Sequence, residues 1–361
     1  VKHKQIMPIG LVVIILVGMA DAVRKTAAEE PGPRSYVCYR ATNPVLVDGK
    51  LGDREWGKVK WTDAFVDIEG KLRESPRFET RVKMQWDDQY FYVGAWMEEP
   101  HVWATLTRHD AVIFHDNDFE VFIDPDGDNH EYYEFEINAL NTGWDLLLPK
   151  PYKDGGNALN NWEIPGLKTA VHISGTLNEP GDSDQGWSVE MAFPWKVLAE
   201  LAHRKTPPKE GDQWRINFSR VEWKHEIVEG KYRKKDGLRE DNWVWSPQGV
   251  INMHRPETWG FVQFSSLEPG KARYKPDRAQ PIRMLLHRIY YAQKGFRSHH
   301  DHWASSLKEL ELSRLSHPML KGPIKIETTG HLFQVTAKIE LPNGRVQTWH
   351  IGQDAHVWAQ N

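Results

Sequence analysis

Residues 115–145 read HDNDFEVFIDPDGDNHEYYEFEINALNTGWD, and this stretch decides the fold class. Phe119, Val121 and Ile123 fall on one face of an extended chain, and Asp118, Glu120 and Asp124 on the other. Beyond an acidic turn, Tyr133, Phe135 and Ile137 form a second apolar row opposite Glu134, Glu136 and Asn138. Successive side chains of a strand point to opposite faces. Period two over both segments therefore predicts two strands, with one face in a core and the other toward solvent or a ligand. The polar row carries three glutamates. Such a row suits hydroxyl-rich ligands or a hard cation, not the phosphates of a nucleic acid.

Working outward, Arg81–Trp86 and Tyr90–Trp96 flank Asp87-Asp88-Gln89 and read as a hairpin. Trp187–Phe193, Trp214–Val221 and Gly260–Phe264 add further short strands. Many short strands broken by turn residues predict an antiparallel β-sandwich over residues 35–266. Val197–His203 reads as a short helix stopped by Pro207-Pro208. Pro269, Gly270 and Pro276 mark a linker over 267–280. Beyond it the period changes: Ile282, Leu285, Leu286, Ile289 and Tyr290 recur at helical spacing. A second helix is expected over Ser305–Ser313, capped by Ser305 or Ser306 with Glu309 in support. Strands are expected at Ile324–Ile326, His331–Ile339 and Arg345–Ile351, the last two joined at Asn343-Gly344. Residues 281–361 are thus predicted to form a small α+β unit.

Net charge is −4, so no global basic surface is available to hold a polyphosphate. The chain carries 17 Trp, and flat sugar faces stack on Trp, so the abundance favours a carbohydrate partner even though much of it must be core. At the N-terminus, Lys2 and Lys4 precede the apolar run Ile9–Met19 and then Ala20-Asp21-Ala22. That pattern predicts a signal peptide over residues 1–22 and a linker over 23–34, hence a periplasmic or extracellular protein with no integral membrane span after cleavage. Cys38 is the single cysteine, so there is no internal disulfide; its strand-like setting predicts a buried, inert thiol.

Several short pieces, in order, resemble one family. Val47-Asp48-Gly49-Lys50-Leu51 with Glu55-Trp56 is similar to an opening "IDG…W" strand and turn. Met84–Val93 is similar to "lWDdnYLYv", Asn117–Asp124 to "DSVEIFID", and Gly186–Phe193 to "GyivEaaI". Trp245-Ser246 and Trp259-Gly260 are similar to a closing "WSDP…FG". Together, residues 45–264 resemble a type 9 carbohydrate-binding module of the DOMON-like β-sandwich group. The resemblance implies a sugar held between two aromatic side chains and polar groups, with calcium as a frequent structural ligand. On this pattern Phe114 stands at one stacking position and Glu120 at the matching carboxylate. Met253 falls where the second stacking Trp is expected, and Glu136 where an Arg is expected.

Read from the residues alone, the same region offers a ligand face. Glu120, Glu136 and Asn138 share one polar sheet face, while Phe114, Trp144, Trp162, Trp243 and Trp245 lie at strand ends where binding loops sit. Asp124, Asp126 and Asp128, with Gly127 for the sharp turn, have the spacing of a calcium loop; Asp116 and Asp118 are candidate additions, and a plain acidic turn is the competing reading. Within Trp214–Trp223, either Arg220–Glu222 is a buried pair or Arg215 and Asn217 face a ligand. The run His299-His300-Asp301-His302 reads as a solvated loop, since adjacent His side chains rarely converge on one metal. No phosphate loop, nucleophile elbow or HExxH motif is present, so no catalytic residues are assigned. The leading expectation is an exported, non-catalytic carbohydrate-binding protein linked to carbohydrate catabolism, whose C-terminal unit serves attachment or partner contact. Two alternatives stand beside it. One is a haem-binding electron-transfer module using Met84, Met97, Met191, Met253 or one of several His. The other is a glycoside-processing enzyme, for which the 80-residue tail is too short to supply a hydrolase barrel.

Overall fold

A computed structural model of the chain describes residues 32–341 and 343–360. The expected signal peptide and most of the 23–34 linker lie outside the described residues. No described helix is long and apolar enough to cross a membrane.

The alternation plays out as read. Phe119, Val121 and Ile123 enter the main core together with Tyr133, Phe135 and Ile137. Their strands, Asp118–Asp124 and Tyr132–Asn138, pair antiparallel. They belong to a twelve-stranded sheet. Its path runs Gly143–Leu148, Tyr132–Asn138, Asp118–Asp124, Gln213–Glu222 and Gly260–Ser265. It continues through Ser35–Arg40, Thr80–Trp86, Tyr90–Glu98, Gly186–Pro194 and Lys168–Ser174. Two short strands, Asp241–Val244 and Val66–Asp67, branch from Gln213–Glu222.

The expected antiparallel sandwich is corrected here to a mixed, curled sheet. Ser35–Arg40 runs parallel to both its neighbours and joins two antiparallel halves into one hydrogen-bonded surface. The sheet then curls into a half-barrel around its core. Phe135 and Phe193, near opposite ends of the path, meet at 5.9 Å, and Tyr133 Oη reaches the Val197 carbonyl at 3.2 Å. Alternation reports which face of a strand is buried; it carries no information about the direction of a partner more than forty residues away.

Several of the motifs quoted above are structural devices. The Glu190 carboxylate accepts the backbone N–H groups of Asp48 and Gly49 and the Trp56 indole N–H, so it pins the opening loop to the sheet. Gly49 is required there: its φ is +85°, and a Cβ would stand 2.6 Å from the Val171 carbonyl carbon. Asp87 turns the hairpin by accepting the N–H groups of Gln89 and Tyr90 at 2.7 and 2.8 Å. Asn217 and Ser246 bond reciprocally, Nδ2 to carbonyl at 2.8 Å and backbone N to Oδ1 at 2.9 Å. Arg220 forms the buried pair of the Trp214–Trp223 segment, donating to Glu222 at 2.9 Å and to Glu99 at 2.8 Å. Arg215 donates to the carbonyls of Pro256 and Glu257. Neither Arg215 nor Asn217 lines the pocket on the polar sheet face. Cys38 is fully buried, and burial pushes its thiol pKa well up, as expected of an inert thiol.

The tail forms an α+β unit with its own core. The helix Gln280–Arg297 buries Ile282, Leu286, Ile289 and Tyr290 against Phe333, Val335 and Ile351 of a four-stranded antiparallel sheet. Its last strand, Val357–Gln360, was not anticipated. Two helical expectations fail. Over Ser305–Ser313 the cap contact from the Ser305 N–H to Glu309 forms at 2.8 Å, but the segment closes as turns, with Glu311 in the left-handed region at φ +57°. Only Leu310 of that segment is fully buried, too little apolar face to hold a helix. Val197–His203 shifts to a single helical turn, Trp195–Leu198.

Candidate functional site

Strand register builds the site. Glu120 pairs directly with Glu136, and Glu136 with Trp144, so these side chains share one row across three strands. In the adjacent row Phe122 pairs with Glu134. This face, expected to meet solvent or ligand, is roofed by loops and becomes the floor of a pocket of about 200 Å³. Phe114, Trp144 and Tyr152 supply aromatic walls, Met253 and His254 close one side, and Glu240 and Asn242 stand with them in the lining.

The aromatic platform is held from both ends. Phe114 lies in the helical turn Ile113–His115; its N–H donates to Glu136 Oε2 at 2.9 Å, and its carbonyl accepts the Trp223 indole at 2.8 Å. The Phe114 and Trp144 rings lie 6.5 Å apart at 30°. Met253 is fixed through its carbonyl, which accepts the Trp259 indole at 2.9 Å. Trp259 in turn packs on Phe122 and Tyr132 beneath the pocket. His254 Nδ1 lies 2.8 Å from Tyr132 Oη, and burial lowers its pKa to about 3, so its imidazole is neutral.

Charge is concentrated on the floor. Asp118, Glu120 and Glu136 each offer an oxygen within 4.8 Å of the others. Burial lifts the Glu120 pKa to about 7, with Glu240 adding to the rise. Burial, then repulsion among the neighbouring carboxylates, pushes Asp118, Glu134 and Glu136 well up. Two carboxyl groups directly opposite on adjacent strands cannot both ionise without cost, so Glu120 and Glu136 hold protons to higher pH than free carboxyls do.

The expected site residues separate into two groups. Phe114, Glu120, Glu136 and Met253 converge on the pocket. Trp245 and Asn138 do not. Trp245 is a core side chain whose ring fills the space where a Cβ on Gly260 would stand, 2.2 Å away, and it packs on Phe218. The Asn138 side chain closes a turn: it donates to the Leu106 carbonyl and Asp116 and accepts the N–H groups of Leu140 and Thr142. Trp162 stacks on Tyr133 at 5.0 Å, and Trp243 is buried beside Arg220. Tyr152, Glu240 and His254 were not anticipated. They come from loops remote in sequence, and only Glu134 carried a legible signal, its place in the polar row.

A second acidic group forms at the turn. Asp124, Asp126 and Asp128 bring one oxygen each within 4.8 Å of one another. Asp124 also accepts the N–H groups of Gly127 and Asn129 at 2.8 and 3.0 Å, and Asp128 Oδ2 meets His356 Nε2 at 3.0 Å. Asp116 is taken up by Thr105 and Leu106, and Asp118 groups with Glu120 and Glu136, so neither joins this group. His299 and His300 bond separately to the carbonyls of Gly295 and Phe296, and do not converge on a metal position. Met84, Met97 and Met191 are fully buried in the main core, which leaves Met253 alone of the four candidate Met ligands for haem at the pocket, beside His254.

Residues 47–266 match the family described as carbohydrate family 9 binding domain-like, more than half of the chain. The chain belongs to that family. Among curated proteins, this family 9 domain is 28% identical over 156 residues to an exoglucanase, XynX, of Acetivibrio thermocellus. It is 26% identical over 153 residues to endo-1,4-beta-xylanase A of Thermoanaerobacterium saccharolyticum. These matches span 43% and 42% of the chain but only 12% and 11% of the relatives' own length. Among solved structures, a family 9 carbohydrate-binding module of Caldicellulosiruptor kristjanssonii in complex with cellotriose aligns over 67% of this chain and all of its own. Its identity is 14% and its TM-score 0.43. A carbohydrate-binding protein of Bacteroides uniformis aligns over 64% of this chain and 99% of its own, at 18% identity and TM-score 0.44.

Proposed function

We propose that this chain is an exported, non-catalytic carbohydrate-binding protein and that its glycan sits in the pocket between Phe114, Trp144 and the Glu120–Glu136 row. The observation that carries the reading is the pocket's make-up: aromatic faces on the walls and carboxylates on the floor, within a family 9 binding domain. Stacking on the aromatic faces contributes most of the affinity, and the carboxylates orient hydroxyl groups by accepting hydrogen bonds. Hydrolase-linked carbohydrate breakdown is the setting, in keeping with the exoglucanase and xylanase relatives. The amino-terminal pattern supports export to the periplasm or beyond. Calorimetric titration of the folded chain against a panel of oligosaccharides tests the reading. Micromolar to millimolar binding to a subset is expected, and a folded protein that binds none overturns it.

Calcium belongs to the same proposal, at Asp124, Asp126 and Asp128. Burial, then the neighbouring carboxylates, pushes the Asp124 pKa well up and lifts that of Asp126 to about 6, so a hard cation relieves their repulsion. It would brace the turn that carries Asn129 and His130 onto the tail unit. There Asn129 Nδ2 donates to the Ala355 carbonyl at 3.0 Å, and His130 Nε2 lies 2.8 Å from the Asp354 carbonyl. The tail unit therefore acts first as a clamp on this turn, with any protein partner bound on its outer face.

A further inference from the structure

The pocket floor carries more carboxyl groups than hydroxyl recognition needs. Glu120 and Glu136 face each other, Glu134 is one row away, Asp118 lies behind them, and Glu240 also lines the pocket. No lysine or arginine is among its lining residues, and His254 is neutral. Two of the acidic oxygens, Glu134 Oε2 and Asp118 Oδ2, are buried with no hydrogen-bond partner. A buried carboxyl oxygen without a partner is costly, and such strongly perturbed groups in a cleft mark ligand sites.

The walls decide what kind of cation fits. A calcium ion takes six to eight oxygens from all sides. Here Glu120, Glu134 and Glu136 share the sheet face with Trp144, and Phe114, Tyr152, Met253 and Glu240 complete the lining, so the oxygens are interrupted by aromatic faces and do not surround a point. An ammonium group on a carbon ring has the complementary shape. Its N–H bonds point to carboxylates, while the ring and the flanking carbons lie against aromatic faces that attract positive charge. A volume of about 200 Å³ matches one sugar ring and not a chain of them.

We infer that the pocket selects an amino sugar with a free amine, its ammonium held by Glu120, Glu134 and Glu136 and its ring against Phe114 and Trp144. This inference rests on the carbohydrate-binding reading and narrows its ligand class. Glu136 stands between Glu120 and Trp144 in the row, in reach of both the amine and the ring, and so is the determinant of specificity.

The test is calorimetry on the full chain with EDTA present, using the β-1,4 trimer of glucosamine, its fully N-acetylated form, and cellotriose. The glucosamine trimer is expected to bind at least about tenfold more tightly than either neutral trimer, the scale of one charge-assisted contact. Glu136→Gln and, separately, Glu240→Gln should each shrink that preference, the first to less than about threefold. Two variants are used so that a folding defect in one leaves the other readable. Equal or tighter binding of cellotriose overturns the amino-sugar inference and leaves the carbohydrate reading standing. Binding of no sugar overturns both. Calcium chloride alone, titrated without EDTA, is the control. Stoichiometric uptake lost in Glu136→Gln, with no preference for the amine, would make the floor a metal position and overturn the inference.

Discussion

The quoted stretch holds two acidic clusters of similar composition and opposite circumstance. In the turn, Asp124 and Asp128 are engaged by backbone N–H groups and by His356, and the neighbouring Asn129 and His130 reach the tail unit. On the strand face a few residues away, Glu134 and Asp118 keep oxygens with no partner, and Glu120 stands opposite Glu136. Acidic residues cemented by their neighbours hold two parts of the molecule together. Acidic residues left unsatisfied under an aromatic roof await something from outside. Partners, not composition, separate structure from site.

The largest effect should come from a residue belonging to neither cluster. Trp245→Ala empties a fully buried position, and a loss of about 3–5 kcal/mol in unfolding free energy is expected by denaturant titration. Glycan affinity of the still-folded fraction should be little changed; a selective loss of binding without loss of stability would return Trp245 to the site. Within the comparison itself, Asp124→Ala strips two N–H groups of their acceptor, and about 1–3 kcal/mol of stability should go with it. Phe114→Ala should do the reverse, leaving thermal stability within ~1 kcal/mol while lowering glycan affinity roughly tenfold or more.

The pocket row should also show itself in pH dependence. Glu120 has a folded pKa of about 7 against an ordinary value of 4.5, so between those values the folded chain keeps a proton that the unfolded chain has released. Stability contributed by the protonated form is therefore lost as pH rises through that window, on the order of 1–3 kcal/mol. Glu120→Gln should flatten the profile between pH 5 and 8, estimated from the same shift as about that amount regained at pH 8, and should weaken glycan binding at the same time. A variant as pH-sensitive as the parent would remove Glu120 from the buried row. The smallest effect concerns the turn: calcium added after EDTA should raise the melting temperature by a few degrees, about 1–2 kcal/mol at saturating ion. Asp126→Asn should abolish the response.

Much of this contrast was legible in the chain. Period two assigned Phe119, Val121 and Ile123 to the core and Glu120 and Glu136 to the other face, because burial on a strand follows parity. The helix over Gln280–Arg297 was legible for the matching reason, an apolar stripe long enough to survive its tertiary setting. Contacts made across long separations were not legible. The parallel placement of Ser35–Arg40 depends on strands at both ends of the domain. Trp245 reads as a loop aromatic from its local sequence, and its burial depends on the remote Gly260, which leaves room for its ring. Asn138 shares a face with Glu136, yet its amide is consumed by its own turn. Tyr152 and His254 reach the pocket from segments whose local sequence says nothing about where they fold back.

Methionine methyl NMR tests the central claim most directly. Met253 lines the pocket, while Met84, Met97 and Met191 are buried in the main core and serve as internal controls. Titration with a bound glycan should move the Met253 methyl resonance and leave those three in place. A glycan that binds without disturbing Met253 would put the site elsewhere and contradict the account.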